Sequence, residues 1–334
     1  MAQYPELIEA LLKSGAYPEA PPKIELMQTQ MSFVILAGEY VYKIKKPVNL
    51  GYLDYTTLDK RKHMCQKEVV LNRRLCPDTY LGVFPVTQKD GVISLGGTGE
   101  ILEYTVKMRY LPQSRMLNVL LKKNEVSEGM LTSVAEKLAG FHRNADTNSY
   151  INTFGSLEAV KVNTDENFRQ TEKYIGITIT SKSFDRLKTY SADFTSHNSD
   201  LFNDRITNGK IKDCHGDLHA DHVCFVDGIC IYDCIEFNDR FRYCDTASEV
   251  AFLAMDLDRY NRADLSRSFV NGYIAYSQDN NLEKLLNFYK CYRAYVRGKV
   301  ECFKSDDPYI SEQERQQAKN TAAGYFNLAE SYVE

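Results

Sequence analysis

Apolar and polar positions divide this chain into a strand-rich front and a helical remainder. Leu7, Ile8, Leu11 and Leu12 recur at helical spacing before Gly15, and Pro18, Pro21 and Pro22 follow; a short helix and a link are predicted. Residues 32–36 and 40–46 are apolar, β-branched runs around Ala37-Gly38-Glu39, which predicts a hairpin closed by Pro47. Thr56 with Asp59 reads as a capping box for a helix running to about Leu75, before Pro77. Strands are predicted over residues 83–87, 92–95 and 101–108. Lys89-Asp90-Gly91 joins the first two, and Gly96-Gly97-Thr98-Gly99 reads as a hairpin turn between the last two.

Past Leu111-Pro112 the period becomes helical, as in the stripe Leu131, Val134, Leu138 and Phe141. Helices are predicted near 165–178, 183–207, 246–258, 261–278, 282–302 and 311–333, the last opened by a Ser311–Glu314 capping box. Residues 211–233 interrupt them with two short strands in a loop. The pattern is α+β and bilobal. Residues 1–24 form a helix and link, 25–111 a β-rich lobe with one helix, and 112–334 a helical lobe carrying an embedded loop and hairpin at 213–239.

Composition narrows the possibilities. The 41 Lys and Arg nearly balance 45 Asp and Glu, for a net charge of −4, which argues against a dedicated nucleic-acid binder. No run approaches the length of a membrane span, and Glu6 and Glu9 interrupt the apolar opening, so no signal peptide is expected. Nine cysteines are an odd number without an export signal. They are expected as free, mostly buried thiols in a reducing cytoplasm.

The chemistry concentrates at residues 212–239, KDCHGDLHADHVCFVDGICIYDCIEFND. Asp227-Gly228 between two apolar runs is a strong hairpin signal. If Val226 pairs with Ile229, Val223 faces Tyr232, and His222 and Asp233 stand side by side at the open end. The loop from His215 to Asp221 leads into that end. His215, Asp217, His219, Asp221, His222 and Asp233 then gather in one small volume, which is costly unless a metal, ligand or reaction uses them.

His-Gly-Asp, a ligand position five residues on, a hairpin and a second Asp resemble the catalytic segment of aminoglycoside phosphotransferase-like kinases. The wider runs CHGDLH, IYDCIEFND, DTASEVAFLAMDLD and VYKIKKPVNLGYLDYTTLDKR resemble a largely uncharacterised family of that group. Some members of it carry an additional P-loop ATPase domain. No Walker A pattern occurs here, so the chain reads as the kinase-like module alone, with a separate ATPase chain as a candidate partner.

The resemblance implies a protein-kinase-like fold and ATP·Mg²⁺ bound between two lobes. Asp217 is then the catalytic base and Asp233 the metal ligand. Lys43, or Lys45 on the same strand face, becomes the phosphate cation. Glu68 lies on the apolar stripe of its helix with Met64, Leu71 and Leu75, so it needs a basic partner, and Lys43 is expected to supply it. Met108, Arg109 and Tyr110 end the strand where adenine would meet backbone. His215, His219, Glu236 and Asp245 are supporting candidates, with Asp245 also an N-cap. The acceptor is a small molecule. Tyr289, Tyr292 and Tyr295 are candidates to touch it, with core packing as the alternative.

Two departures matter. The position of the second metal ligand is His222, and imidazole suits Mn²⁺ better than Mg²⁺. The glycine-rich phosphate loop is absent, since only Gly38 falls between Thr29 and Lys43. Both favour a competing reading, a non-catalytic nucleotide-binding regulatory module. Zinc at Cys214, His215, His219, His222 and Cys224 lacks the usual spacing. A nucleic-acid reading of the basic residues between Lys43 and Arg74 is offset by acidic residues elsewhere.

Overall fold

A computed structural model describes residues 5–308 and 310–333. In chain order the front half contains α1 (Glu6–Leu11), β1 (Ile24–Gln28), β2 (Ser32–Ala37), β3 (Tyr40–Lys45), α2 (Leu58–Asn72), β4 (Tyr80–Lys89), β5 (Val92–Leu95) and β6 (Glu100–Arg109). There follow α3 (Leu117–Lys122), α4 (Glu128–Asn144), α5 (Ser149–Thr153), α6 (Leu157–Thr171), α7 (Ser181–His197) and α8 (Ser199–Thr207). The remainder is β7 (Ile211–Asp213), β8 (Val223–Cys224), β9 (Cys230–Ile231), α9 (Asp239–Arg242), β10 (Tyr243–Asp245), α10 (Thr246–Arg259), α11 (Ala263–Ser277), α12 (Glu283–Ser305) and α13 (Glu312–Ser331). The chain is α+β, as expected. Among the described residues no helix is long and apolar enough to cross a membrane.

The chain divides into two compact units. One holds residues 1–116 and 222–239, the other 117–221 and 240–334. The sequence division set residues 1–24 apart and gave 112–116 and 222–239 to the helical lobe, whereas all three segments group with the sheet.

The sheet unit has six strands in the order β1-β2-β3-β6-β4-β5. Alternation on β3 decides its chemistry. Tyr42 and Ile44 point to one face, into a core with Ile8 and Leu11 of α1 and Phe33, Ile35 and Val86. Val41 points to the other, where Cys65 and Val69 of α2 pack with Tyr80, Val106 and Met108. Lys43 and Lys45 share the parity of Val41 and so face α2.

Several expectations are corrected here. Thr57, not Thr56, caps α2, accepting from Lys60 N–H at 3.3 Å. Asp54 takes both the N–H and the hydroxyl of Thr56, at 3.0 and 2.6 Å. The Gly96–Gly99 segment is not a hairpin turn: β6 has β3 and β4 on its two sides, so β5 pairs outside β4. The connection crosses the end of β4 so closely that a Cβ on Gly99 would lie 2.1 Å from Gln88 O. Strand β1 was not anticipated.

The hairpin at 223–231 is also shifted by one residue. Val223 pairs with Ile231 and Cys224 with Cys230, leaving a longer loop around Asp227-Gly228. The cause is Arg115. Its carbonyl accepts from Phe225 N–H at 3.0 Å, and its Nε donates to Phe225 O at 2.8 Å, so Phe225 is withdrawn from the ladder. The expectation that all nine cysteines are thiols fails at one pair. Cys76 and Cys230, with Cα atoms 4.7 Å apart, form a disulfide.

The helical unit packs α6, α7, α12 and α13 around α10, in which every residue from 246 to 257 is buried. Its two three-residue strands, β7 and β10, pair antiparallel. Ser311 and Glu314 form the expected capping box on α13. Helices α12 and α13 pack tightly at Gly298, where a Cβ would lie 2.8 Å from the Phe326 ring. Gly298→Ala should therefore lower stability by about 1–3 kcal/mol in urea denaturation, against the usual gain from alanine in a helix.

Candidate active site

In the sheet unit two lysines converge on one carboxylate. Glu68 is fully buried on α2. Its Oε2 lies 2.7 Å from Lys45 Nζ and its Oε1 3.0 Å from Lys43 Nζ, the latter an ion pair without hydrogen-bond alignment. Lys43 also reaches Asp233 Oδ1 at 2.7 Å. Lys45 pairs with Glu236, which accepts a second hydrogen bond from the Tyr55 hydroxyl at 2.7 Å. Asp233 and Glu236, three residues apart, thus each meet one of two lysines two residues apart, with Glu68 between the lysines.

The environments of the lysines differ. The Lys45 side chain is 1% exposed and enclosed by Glu68, Glu236 and the Tyr55 ring, while Lys43 is 19% exposed beside an Asp233 that is 40% exposed. Burial alone would depress both ammonium groups, but Asp233, Glu68 and Glu236 hold Lys43 well above the usual lysine range. Glu236 and Glu68 do the same for Lys45. Burial pushes the Glu236 carboxyl up, and the two lysines more than reverse it.

Asp233 itself has a left-handed backbone, φ +62°, which is uncommon for a residue with a side chain. Its neighbours hold it there. The Tyr80 hydroxyl accepts from Asp233 N–H at 3.1 Å, Asn72 Oδ1 accepts from Cys234 N–H at 2.8 Å, and the Cys76–Cys230 bond lies three residues upstream. With the shifted register His222 O accepts from Tyr232 N–H, so His222 stands opposite Tyr232. Its Nε2 still lies 3.6 Å from Asp233 Oδ2.

Two other expected features of a nucleotide site look different in the structure. Arg109 N–H is taken by Thr79 O and Tyr110 N–H by Glu39 O, both at 2.9 Å, so neither donor is open to an adenine. Met108 is buried beside α2. The β1–β2 turn contains no glycine and is closed by Thr29 Oγ1, which accepts from Met31 and Ser32 N–H.

In the helical unit the loop from His215 to Asp221 is held from below by α10. Glu249 Oε1 accepts from His215 N–H at 2.8 Å and Gly216 N–H at 2.6 Å, and Asp256 Oδ2 accepts from Ala220 N–H at 2.8 Å. These carboxylates are seven residues apart, on one helix face. Glu249 is fixed in turn by His142 Nε2 at 2.7 Å, and Tyr273 lies on the other ring nitrogen. Burial would raise the Glu249 carboxyl, yet His142, His215 and the Gly216 N–H lower it. On top of the loop, Arg293 of α12 donates to Gly216 O at 3.2 Å. Asp217 Oδ2 lies 3.5 Å from His219 Nε2, and His219 Nδ1 lies 3.6 Å from Asp221.

The loop support was missed in the sequence. Asp245 caps α10 as expected, accepting from Ala247 N–H, but its carboxylate is gripped by Arg205 at 2.6 and 2.9 Å and the loop amides go to Glu249. The signal was available as two carboxylates seven apart, Glu249 and Asp256, bracketing the apolar run 250–255. Tyr289 and Tyr295 are core residues, 5% and 3% exposed.

The two lysines predict different losses. Lys45→Met leaves the buried Glu68 with Lys43 alone and Glu236 with the Tyr55 hydroxyl alone, and should cost about 3–5 kcal/mol in urea denaturation. Lys43→Met, at the exposed end of the network, should cost clearly less. Equal losses would remove the distinction between a structural and a solvent-facing lysine.

Comparison with known proteins places this geometry. No family model matches the chain. Uncharacterized proteins of Mycobacterium tuberculosis and Mycobacterium bovis are 36% identical over 282 residues, which is 84% of this chain and 55% of theirs. The chain thus spans about half the length of these relatives. Among solved structures, a putative aminoglycoside phosphotransferase from Ralstonia eutropha superposes with a TM-score of 0.52 at 11% identity, over 98% of this chain and 97% of that one. A choline/ethanolamine kinase family protein from Mesorhizobium loti gives 0.50 at 12% identity, over 98% of both chains. An aminoglycoside phosphotransferase from Alicyclobacillus acidocaldarius gives 0.50 at 12%, over 99% and 96%. The chain therefore has the protein-kinase-like fold, in the form found in aminoglycoside phosphotransferases and choline/ethanolamine kinase family proteins.

Proposed function

We propose that this chain is an ATP-dependent phosphotransferase that moves the γ-phosphoryl group to the hydroxyl of a small molecule. The observation that carries the reading is the chain Glu68–Lys43–Asp233 in the sheet unit. Phosphoryl transfer needs a fixed cation on the phosphates and hard oxygen ligands for a divalent ion, and little other chemistry from the protein. Lys43, held by Glu68 and the more exposed of the two lysines, fits the first requirement. Asp233, a partly exposed carboxylate, fits the second. Glu236 is occupied by Lys45 and Tyr55 and serves as a positioning residue.

Asp217 is assigned to the acceptor. Its loop is fixed at three amides and one carbonyl, so the carboxylate is presented on a rigid backbone. It would orient the acceptor hydroxyl and take its proton as the new O–P bond forms and the β–γ bridge breaks to release ADP. Asp233, with His222 beside it, would hold Mg²⁺ or Mn²⁺, and the ion would neutralise charge on the β- and γ-phosphates.

A second reading, a nucleotide-binding regulatory module, draws on the glycine-free β1–β2 turn and the occupied Arg109 and Tyr110 amides. One variant separates the two. Asp217→Asn should reduce transfer by about 10²–10⁴-fold while leaving Mg·ATP affinity unchanged in calorimetry. No transfer by the wild type to any member of a labelled-ATP metabolite screen, with ATP bound normally, would favour the regulatory module. If His222 ligates the ion, Mn²⁺ should support transfer at least as well as Mg²⁺. A strict Mg²⁺ requirement would exclude His222 from the metal site.

A further inference from the structure

The buried arginines of the helical unit are saturated, whereas the partly buried Arg297 is not. Arg205 is spent on Asp245, Asp279 and Thr246, and Arg242 on Asp213. Arg293 is spent on Ser248, Gly216 and Cys244. Arg297 stands one helical turn beyond Arg293 on the same face of α12. Its five donors meet a single protein acceptor, the Tyr325 hydroxyl, at a long 3.4 Å. Among the described residues no carboxylate comes within ion-pair distance of it.

A second guanidinium sits on the same aromatic ring. Arg259 lies 4.4 Å from the Tyr325 centroid and Arg297 5.7 Å. The carboxylate nearest Arg259 is Asp256, at 3.9 Å, and that carboxylate already accepts from Ala220 N–H in the catalytic loop. Burial works against the Arg297 charge, while Tyr325, Asp217 and Asp256 sustain it. At the Tyr325 ring two guanidiniums thus meet one carboxylate, Asp256, which the loop amide of Ala220 already uses; Asp217 acts on Arg297 from the same loop, and Arg297 keeps its donor fork largely unspent. Such a fork matches the paired oxygens of a phosphate or carboxylate and repels a cation.

Resting on the phosphotransferase reading above, we infer that the acceptor is an alcohol that carries its own phosphate or carboxylate, and that Arg297, assisted by Arg259, binds that anionic group while Asp217 serves the hydroxyl. This assigns the site to the class of anionic hydroxyl compounds, such as sugar phosphates and hydroxy acids. It excludes cationic alcohols of the choline or aminocyclitol type.

The test is a calorimetric titration of the whole chain, saturated with Mg·ADP, with glycerol 3-phosphate, glucose 6-phosphate and gluconate. Glycerol, glucose, choline and kanamycin are the neutral and cationic comparisons. At least one anionic alcohol should bind about tenfold or more tightly than its neutral parent, a difference near 1.4 kcal/mol. Arg297→Gln should abolish that preference, Arg297→Lys should restore part of it, and Arg259→Gln, at a side chain 39% exposed, should weaken it. Equal binding of neutral or cationic alcohols, no binding of any anionic one, or a preference that survives Arg297→Gln overturns the inference. The titrations are repeated without nucleotide. Failure of Mg·ADP to bind then counts against the phosphotransferase reading, while dependence on Arg297 still decides the anion site.

Discussion

Five ionisable groups in the sheet unit, two lysines and three carboxylates, set the terms for the rest of that unit. Taking such charges out of water costs several kcal/mol each unless every one is paired. The pairing is arranged by strand parity and helix phase. Lys43 and Lys45 fall on the α2 face of β3 because alternate residues do, and Glu68 meets them because it lies on the apolar stripe of α2. The Asp233–Glu236 segment supplies one further carboxylate to each lysine. The carboxylates exceed the lysines by one; Glu68 and Glu236 meet the lysines in the interior, and Asp233 meets Lys43 at the more exposed end of the network.

The helical unit solves a different problem, how to make a loop rigid. A loop has no ladder partners for its amides, so its position is only as good as the groups that satisfy them. Here α10 does so with Glu249 and Asp256, and their own orientation is fixed by burial and by His142. The cost of burying these two carboxylates is offset by amide hydrogen bonds to charged acceptors, which are stronger than neutral ones. Asp217 inherits its placement from this arrangement rather than from its own contacts.

How much of this could be read from the chain depends on the range of the interaction. Helices 246–259, 263–277 and 283–305 and the Ser311 cap were legible because periodicity and caps are local. The facing of Glu68 toward the strand lysines was legible for the same reason. The hairpin register was not, because the residue that displaces it, Arg115, is 110 positions from Phe225. The β5–β6 connection failed for a related reason: two adjacent strands with a glycine-rich link look like a hairpin until β3 and β4 occupy both sides of β6. Strand β1 and the three-residue strands β7 and β10 are too short or too exposed to leave a period. Glu249 and Asp256 were visible as carboxylates out of place, but their targets were backbone amides, which no sequence pattern marks.

The strained backbone at Asp233 links these points. A left-handed aspartate costs about 1–3 kcal/mol and persists only where its surroundings over-determine it. Tyr80 and Asn72 bind the amides of residues 233 and 234, the Cys76–Cys230 bond anchors the strand that precedes them, and Lys43 and Lys45 hold the side chains at 233 and 236. Any one of these would orient a loop. Together they keep one carboxylate pointed at one ammonium, in a conformation the residue would not choose. The one-residue shift in the hairpin belongs to the same logic. By withdrawing Phe225 from the ladder, Arg115 moves the register by one, so Tyr232 faces His222 at the open end and Asp233 stands one position beyond it, in the left-handed turn it adopts.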